Sequence, residues 1–406
     1  MSPQPALSIE HVAKRAEVSV VTVRRWVKDG LVPQYEGRWT PAAASHVRLV
    51  ARLRRRGHKL EEIRDASQSG KLAFGYLEEL LPSSDGTYTL ADAARITRMK
   101  PELIERVFAA MGIGALSPDS FTQQDIEMLG YMSDILAVGL PLPAIMQLAR
   151  VYGQSIAQIA DAEVRLFHLY VHEPLMRSGV PGSEMAQEME SMTRELLPFI
   201  APLMTYLHGR LLSHFVEQDV IGHLESDLDG GDAPEGRLVV TIAFADLAGY
   251  TRLTEERGDE EAVQTVERFA EAVARSLPSD ARVIKSLGDE VMIVAADPVA
   301  LSEWAVAFAS DSSNGRPSRS TSGVPPPRIG VHHGGALYRD GDYYGREVNL
   351  AARVVARAGG GEVLVTKALV DAVAAAEGLA FQRIGEVSLK GFSVPTELFS
   401  AVHRHD

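Results

Sequence analysis

The sequence predicts a multidomain α+β protein in which an all-α N-terminal region and a helical segment precede a C-terminal α/β domain. Its 406 residues are too many for one ordinary hydrophobic core. Apolar residues recur at helical spacing as far as residue 225. From residue 238 onward they form short runs such as "LVVTIAFADL", which are typical of buried strands. The change of pattern places the boundary between the two halves near residue 230.

Composition narrows the class of protein. The chain has no cysteine, which excludes disulfides, cysteine-ligated zinc and thiol catalysis. Its longest apolar run, "LLPFIAPLMTYL", falls short of the roughly 20 residues that a membrane span needs, and its N-terminus lacks the pattern of a secretory signal. A net charge of −13 argues against general affinity for nucleic acid. We therefore expect a cytoplasmic protein that makes no membrane contact.

The first element, residues 7–31, has two short helical segments separated by a turn, which is a helix-turn-helix pattern. The following "YEGRWTP" suits a wing, and further helix comes after it. Residues 1–75 resemble the DNA-binding head of the mercury-resistance (MerR) type regulators, with Arg24, Arg25 and Trp26 on the recognition helix. Residues 1–72 hold 14 Lys/Arg against 7 Asp/Glu, the sign that phosphate contact requires. DNA binding and use as a protein-interaction module are both compatible with this pattern.

The same pattern returns at residues 85–153, which we predict to be a second, degenerate winged-helix-like repeat. An offset of 81 residues aligns Val23 with Ile104, and an offset of 82 aligns Trp39 with Phe121. Residues 85–153 hold 8 acidic against 5 basic residues, so the charge is reversed. We expect this second copy to face protein and not DNA.

Residues 154–225 form a long amphipathic helical segment, for which dimer packing would supply a partner. Residues 86–225 resemble the helical regulatory region that precedes the catalytic domain in some soluble mycobacterial-type adenylate cyclases. The segment contains five histidines that either act as a pH switch or are ordinary exposed side chains: His168, His172, His208, His214 and His223. Residues 226–237, with the sequence "SDLDGGDAPEGR", are predicted to form a linker.

Two turns in the C-terminal domain carry acidic residues. Asp246 ends a predicted buried strand and is followed by Gly249, Tyr250 and Thr251 at a helix start, which together offer a metal ligand and a phosphate cradle. Asp289 follows a Leu-Gly turn between two further predicted strands. Each feature alone is more often an ordinary strand-to-helix turn or a solvated hairpin tip.

Four motifs occur in order in this domain: "FADLAGYT", "KSLGDE", "DYYGREVNLAAR" and "LKGF". In this order they resemble the motifs of the class III nucleotide cyclases, over residues 238–406. The resemblance implies a ferredoxin-like α/β domain with adenylate cyclase activity, a phosphorus-oxygen lyase that converts ATP to cyclic AMP.

The resemblance also implies roles for individual residues. Asp246 and Asp289 would hold two Mg²⁺ or Mn²⁺ ions. Lys285 and Asp342 would recognise the adenine edge, Asn349 would position the ribose, and Arg353 would stabilise charge on the α-phosphate. Gly249, Tyr250, Thr251 and Lys390 would bind phosphates. The family's further triphosphate-binding arginine has no assigned equivalent, because Arg339 is out of register.

In the family that this domain resembles, each site takes residues from two subunits, so we expect a homodimer with ATP bound at its interface. The N-terminal helical domains would regulate how the two subunits meet. The alternative is a nucleotide-sensing DNA-binding regulator with a catalytically silent cyclase domain.

Overall fold

The computed structural model describes residues 7–32, 39, 41–73, 86–113, 121–179, 182–228, 237–313 and 325–404. The chain divides into two compact units, Met1–Leu211 and Leu212–Asp406. Within the described ranges, no helix is both long and apolar enough to cross a membrane.

The first unit begins with four helices: α1 (Ile9–Arg15), α2 (Val20–Lys28), α3 (Pro41–Arg55) and α4 (Leu60–Gln68). Ser8 and Ser19 cap α1 and α2 by accepting hydrogen bonds from backbone N–H groups in the first turn. Trp26 lies on the predicted recognition helix but is buried in the core, whereas Arg24 and Arg25 beside it are exposed. Most of the predicted wing lies outside the described residues.

The next four helices repeat this arrangement: α5 (Leu90–Thr97), α6 (Pro101–Ala110), α7 (Gln123–Val138) and α8 (Leu142–Phe167). An isolated antiparallel bridge joins Leu7 to Trp39 in the first copy and Tyr88 to Phe121 in the second. Thr89 caps α5 as Ser8 caps α1, 81 residues earlier. The two copies therefore share caps and bridges, although their surface charges differ.

Helix α8 runs across the predicted domain boundary at residue 153. A Cβ atom on Gly153 would lie 2.3 Å from the backbone oxygen of Met111, so glycine at this position permits close packing against the end of α6. After α8 come a π-helical turn (His168–His172), α9 (Glu173–Arg177) and α10 (Gly182–Leu228). The first three residues of the predicted linker, 226–228, are helical, and residues 229–236 lie outside the described residues.

From residue 237 onward, the described residues of the second unit form eight strands and five helices: β1 (Arg237–Leu247), α11 (Tyr250–Arg257), α12 (Asp259–Ser276), β2 (Arg282–Leu287), β3 (Glu290–Ala295), α13 (Pro298–Ser313), β4 (Pro327–Arg339), β5 (Asp342–Tyr344), α14 (Arg346–Val355), β6 (Val363–Thr366), α15 (Lys367–Ala372), β7 (Leu379–Val387) and β8 (Thr396–His403). The strand order is β2-β3-β1-β4-β6-β8-β7, with β5 paired to β4. The first four strands and their helices give the βαββαβ order of a ferredoxin-like fold, as predicted.

Both faces of this sheet are covered. Alternate residues of β1, such as Ala243 and Ala245, pack with Phe269 of α12 and Trp304 of α13 on one face. On the other face, Ile242 and its neighbours pack with apolar residues of α14: Val348, Ala351 and Val355. Because the inner side of α14 is buried against the sheet, its polar residues must project away from the sheet.

Candidate active site

Strand pairing brings Asp246 and Asp289 together at one end of the sheet. Asp246 on β1 lies opposite Glu290, the first residue of β3. The backbone N–H of Leu247 donates to the carbonyl of Asp289 at 3.2 Å. Gly288 makes the intervening turn with φ of 68°, a conformation that favours glycine. We call Asp246, Asp289 and Glu290 the acid corner.

An arginine that the motifs did not indicate completes this corner. Arg328 on β4 lies opposite Asp246 in the sheet, and its guanidinium donates to Asp246 Oδ2 at 2.8 Å. Arg339, the arginine considered from the sequence, is exposed at the other end of β4. A single arginine within a strand carries no local signal, so only the register between β1 and β4 shows that Arg328 reaches Asp246.

The acid corner fits a divalent cation. Asp246 Oδ1 is buried and has no hydrogen-bond partner among the described residues. Burial and neighbouring carboxylates raise the pKa of Glu290, and burial raises the pKa of Asp289 despite a backbone hydrogen bond. Within the described ranges, no three His, Asp or Glu side chains are arranged so that they could hold a metal ion by themselves. Two carboxylates would therefore hold a metal only together with substrate oxygens and water, as Mg²⁺ commonly is held.

The turn after β1 leads directly into helix α11, which begins beside the acid corner. Gly249 has a left-handed φ of 83° and precedes the first residue of α11, Tyr250. The Tyr250 side chain packs against the core, while Thr251 is exposed. The first backbone N–H groups of α11 have no partner within the helix, so they can face an anion.

Lys285 and Asp342 form an ion pair within one chain. The Lys285 ammonium on β2 lies 2.5 Å from Asp342 Oδ2 on β5, and both side chains are partly buried. Asp342 Oδ1 accepts a hydrogen bond from the backbone N–H of Tyr343 at 2.7 Å. One cation and one carboxylate are thus held side by side, as a purine edge with adjacent acceptor and donor groups requires.

Asn349 and Arg353 are both exposed on α14, four residues apart. The opposite side of the helix lies very close to β4, since a Cβ atom on Gly330 would be 2.3 Å from the backbone nitrogen of Val355. Arg353 is also near enough to the acid corner to oppose the rise in the pKa of Glu290 that burial, Asp246 and Asp289 cause. We call the outward side bearing Asn349 and Arg353 the α14 face.

A buried histidine anchors the first turn of α14. His332 on β4 contacts Glu347 Oε2 through Nε2 at 2.7 Å and Thr366 Oγ1 through Nδ1 at 2.8 Å. Burial lowers the pKa of His332, although the neighbouring Glu347 opposes the shift. This network, which the sequence motifs did not indicate, fixes a residue two positions before Asn349.

Lys390 lies exposed in the turn between β7 and β8. Its neighbours Leu389 and Phe392 pack with Leu350 of α14, and the Arg346 guanidinium lies 5.2 Å from the Phe392 ring centroid. Across the described part of the chain, Lys390 itself forms no hydrogen bond or ion pair. Its position is set by packing against α14, and its role rests on the motif.

Two protein families match successive parts of this chain, and individual proteins match most of its length. Residues 28–215 match the family described as adenylate cyclase regulatory domain, and residues 235–400 match the adenylate and guanylate cyclase catalytic domain. A pH-sensitive adenylate cyclase of Mycobacterium tuberculosis is 28% identical over 368 residues, 88% of each chain. An adenylate cyclase of Streptomyces coelicolor is 29% identical over 298 residues, 73% of this chain and 74% of its own.

Among solved structures, the adenylyl cyclase CyaB from P. aeruginosa is 23% identical, with a TM-score of 0.36, over 42% of this chain and 96% of its own. Two matched domains in the order regulatory then catalytic, and relatives that align along most of both chains, lead to one conclusion: the chain is a class III adenylate cyclase.

Proposed function

We propose that the enzyme converts ATP to 3′,5′-cyclic AMP and pyrophosphate by two-metal catalysis at a homodimer interface, under the control of its N-terminal helical region. One observation carries the proposal. A single chain builds the acid corner and the Lys285–Asp342 pair, yet leaves Asn349 and Arg353 exposed. Such a chain holds every group that the reaction needs but presents some of them outward, toward a second subunit.

Asp246 and Asp289 would hold the two Mg²⁺ or Mn²⁺ ions, with Asp246 Oδ1 as a free ligand atom. When bound, such ions lower the pKa of the ribose 3′-hydroxyl and neutralise the triphosphate. Arg328, next to Asp246, would supply the further cation for the outer phosphates, together with Lys390 and the backbone from Gly249 to Thr251. No protein base is then needed for the 3′-hydroxyl proton.

Lys285 and Asp342 would select adenine. The Lys285 ammonium donates only, and the Asp342 carboxylate accepts only, which matches the ring nitrogen and the amino group of adenine. A guanine edge reverses these groups, and each buried polar group left unpaired costs about 1–3 kcal/mol. The pair therefore favours ATP over GTP.

Asn349 would orient the ribose, and Arg353 would stabilise the negative charge that grows on the α-phosphate. The 3′-oxygen forms a bond to the α-phosphorus while the bond to the bridging oxygen breaks, and pyrophosphate leaves with that oxygen. A guanidinium that meets this charge in the transition state raises kcat more than it tightens ATP binding.

Two sets of exposed apolar side chains support a homodimer. In the catalytic unit they lie on β1, β4 and β5: Leu238, Val239, Leu337, Tyr338 and Tyr344. On α10 they are Leu196, Phe199, Leu203 and Tyr206. Exposed apolar surface of this extent marks interaction sites, and pairing with a second copy of the chain would bring the two halves of each active site together.

The test is conversion of ATP to cyclic AMP by the purified full-length protein with Mn²⁺, followed by chromatography of the product. We expect cyclic AMP from ATP, much less cyclic GMP from GTP, and no product when the metal is chelated. A folded dimer that turns over neither nucleotide would overturn the proposal.

Regulation by the helical region has its own test, because a fragment of residues 237–406 lacks that region. A pH–activity profile that differs between fragment and full chain would place the control in residues 1–236. His172, one of the five histidines of the predicted pH switch, is buried and contacts both His168 Nδ1 at 3.1 Å and the carbonyl of Gly70 at 3.1 Å. Identical profiles would remove these histidines from the control of activity.

DNA binding through residues 1–75 stays a prediction, favoured by the exposed Arg24 and Arg25 on α2. Salt-dependent binding of the full chain to duplex DNA, weakened in an Arg24→Ala/Arg25→Ala variant, would establish it. Equal binding by both proteins at low salt would exclude α2 as the DNA contact.

A further inference from the structure

The C-terminal part of α10 touches the catalytic sheet at Arg282, the first residue of β2. The Arg282 guanidinium lies 5.4 Å from the ring centroid of Phe215 on α10 and 5.7 Å from that of Tyr343 on β5. It also donates a hydrogen bond to the Tyr343 hydroxyl at 2.5 Å. One cation therefore joins a helix residue to a strand residue, at distances at which cation–π attraction is effective.

Both strands in this contact carry a residue of the base-recognition pair. Tyr343 directly follows Asp342, and its backbone N–H donates to Asp342 Oδ1. Arg282 precedes Lys285 by three residues, and the pairing of β2 with β3 is irregular between Val283 and Lys285. A shift of Arg282 or Tyr343 would therefore move the backbone that positions the pair, and the irregular pairing of β2 lies between Arg282 and Lys285.

A second residue of α10 acts on the same tyrosine. Tyr343 is buried, and burial raises the pKa of its hydroxyl; Arg282 lowers it, and Asp219 of α10 raises it again. Asp219 lies one helical turn after Phe215, on the same side of the helix. The helix thus acts on the Arg282–Tyr343 pair through a ring, which lies over Arg282, and through a carboxylate, which acts on Tyr343.

We propose that Phe215, Arg282 and Tyr343 are positioning residues for base recognition, through which α10 sets the geometry of the Lys285–Asp342 pair. The proposal deepens the proposed function and rests on its assignment of that pair to adenine. Since α10 runs unbroken from Gly182 to Leu228, a displacement of the helix would change the affinity for ATP before it changed the chemical step.

The first experiment compares Phe215→Ala with Val216→Ala in the full-length enzyme. Val216 is the next residue on α10 and is more exposed than Phe215, so it controls for loss of an apolar side chain from this helix. For Phe215→Ala we expect the KM for ATP to rise about threefold to tenfold, the size of one cation–π contact. The kcat with ATP and the kcat/KM with GTP should match those of Val216→Ala. Equal losses with both nucleotides, or no change in KM, would overturn the proposal.

Two conservative variants test the remaining members of the contact. Arg282→Lys keeps the charge but loses the planar guanidinium, and Tyr343→Phe keeps the buried ring but loses the acceptor. Each should raise the KM for ATP, and combining either with Phe215→Ala should give less than the sum of the single effects, because all three residues act through the position of Arg282. Fully additive effects would show that the residues act separately and would contradict the proposal.

Lys285→Ala separates this inference from the assignment on which it rests. If Lys285→Ala lowers the preference for ATP over GTP but Phe215→Ala does not, base recognition stands and the role of α10 is wrong. If Lys285→Ala leaves the preference unchanged, the base-recognition assignment itself is wrong, and the proposal falls with it.

Discussion

The acid corner and the α14 face are built in opposite ways. Asp246 is buried, ion-paired to Arg328 and held between two strands, whereas Asn349 and Arg353 are exposed and project from a helix whose other side is buried. The first is enclosed within one chain, whereas the second is supported on one side and open on the other. Under the proposed function, a second subunit would bring the two halves together, and catalysis would depend on that closure.

The largest effect should come from the enclosed half. Asp246→Ala removes the proposed metal ligand and leaves Arg328 without its Asp246 partner, so we expect cyclic AMP production to fall by more than about 10³-fold, several kcal/mol of transition-state stabilisation. Asp371→Ala is the matched control, since Asp371 is exposed and forms its ion pair with Lys367 on α15. The activities of both variants are measured as initial rates of cyclic AMP production with Mn²⁺. Activity above a tenth of wild type in Asp246→Ala would exclude the acid corner as the metal site.

In the open half, Arg353→Ala should lower kcat by about 10²- to 10³-fold, as loss of a transition-state donor does. The KM for ATP should change little, because the guanidinium meets charge that develops only during reaction. Arg275→Ala, which breaks an exposed ion pair with Glu271 on α12, serves as the control. A rise in KM with kcat unchanged would assign Arg353 to ground-state binding.

Mixing the two inactive variants tests directly whether the halves belong to different subunits. An Asp246→Ala/Arg353→Ala heterodimer contains one site with both defects and one site with neither, so random exchange should restore up to about a quarter of wild-type activity. Rates should be measured after co-expression or after subunit exchange. A mixture as inactive as either parent, in which heterodimers have been detected, would show that both halves of a site come from one chain.

A smaller effect should follow from weakening the support of the α14 face. Glu347→Ala leaves the buried Nε2 of His332 without its partner, at a cost of about 1–3 kcal/mol, and frees the first turn of α14. We expect kcat to fall by roughly tenfold, about 1.4 kcal/mol, while Glu347→Gln, which retains an acceptor, should be close to wild type. If both variants lose activity equally, the charge of Glu347 matters and not its hydrogen bond.

The smallest effect concerns pH. Burial lowers the pKa of His332 in the folded protein, so the unfolded chain takes up a proton that the native state resists. The neutral, buried His332 therefore contributes fully to the free energy of unfolding above the ordinary pKa of histidine. This contribution is lost progressively as the pH falls below that value. His332→Gln should make the melting temperature of the catalytic unit less sensitive to acidification between pH 7.5 and 5.5, whereas His403→Gln, at an exposed site, should not. If the melting temperatures of the two variants depended equally on pH, the lowered pKa of His332 would not contribute to stability as expected.

Residues that carry local signals could be predicted from the sequence. The run ending at Asp246 and the turn at Asp289 follow from strand and turn patterns, and the fold places them on neighbouring strands. The spacing of Asn349 and Arg353 indicated a shared helix face. Both pairs belong to motifs in which the residue types and their spacing are visible within a dozen positions.

Long-range pairs could not be predicted in the same way. Arg328 and Asp246 are 82 residues apart in the chain, and His332 and Thr366 are 34 apart, so only the sheet register brings them together. Helix α8 runs through the predicted domain boundary at residue 153. The close approach of Gly153 to Met111 is likewise a long-range contact that the local sequence does not indicate.

The backbone contact between Gly330 and α14 has a consequence for how this enzyme can change over generations. Any side chain at position 330 would have to push Val355 aside, and the helix that carries Asn349 and Arg353 would move with it. Glycine is therefore the one amino acid that position 330 can hold without displacing this helix. If α14 faces the phosphates as proposed, changes in specificity would have to come from side chains around a helix whose position is fixed.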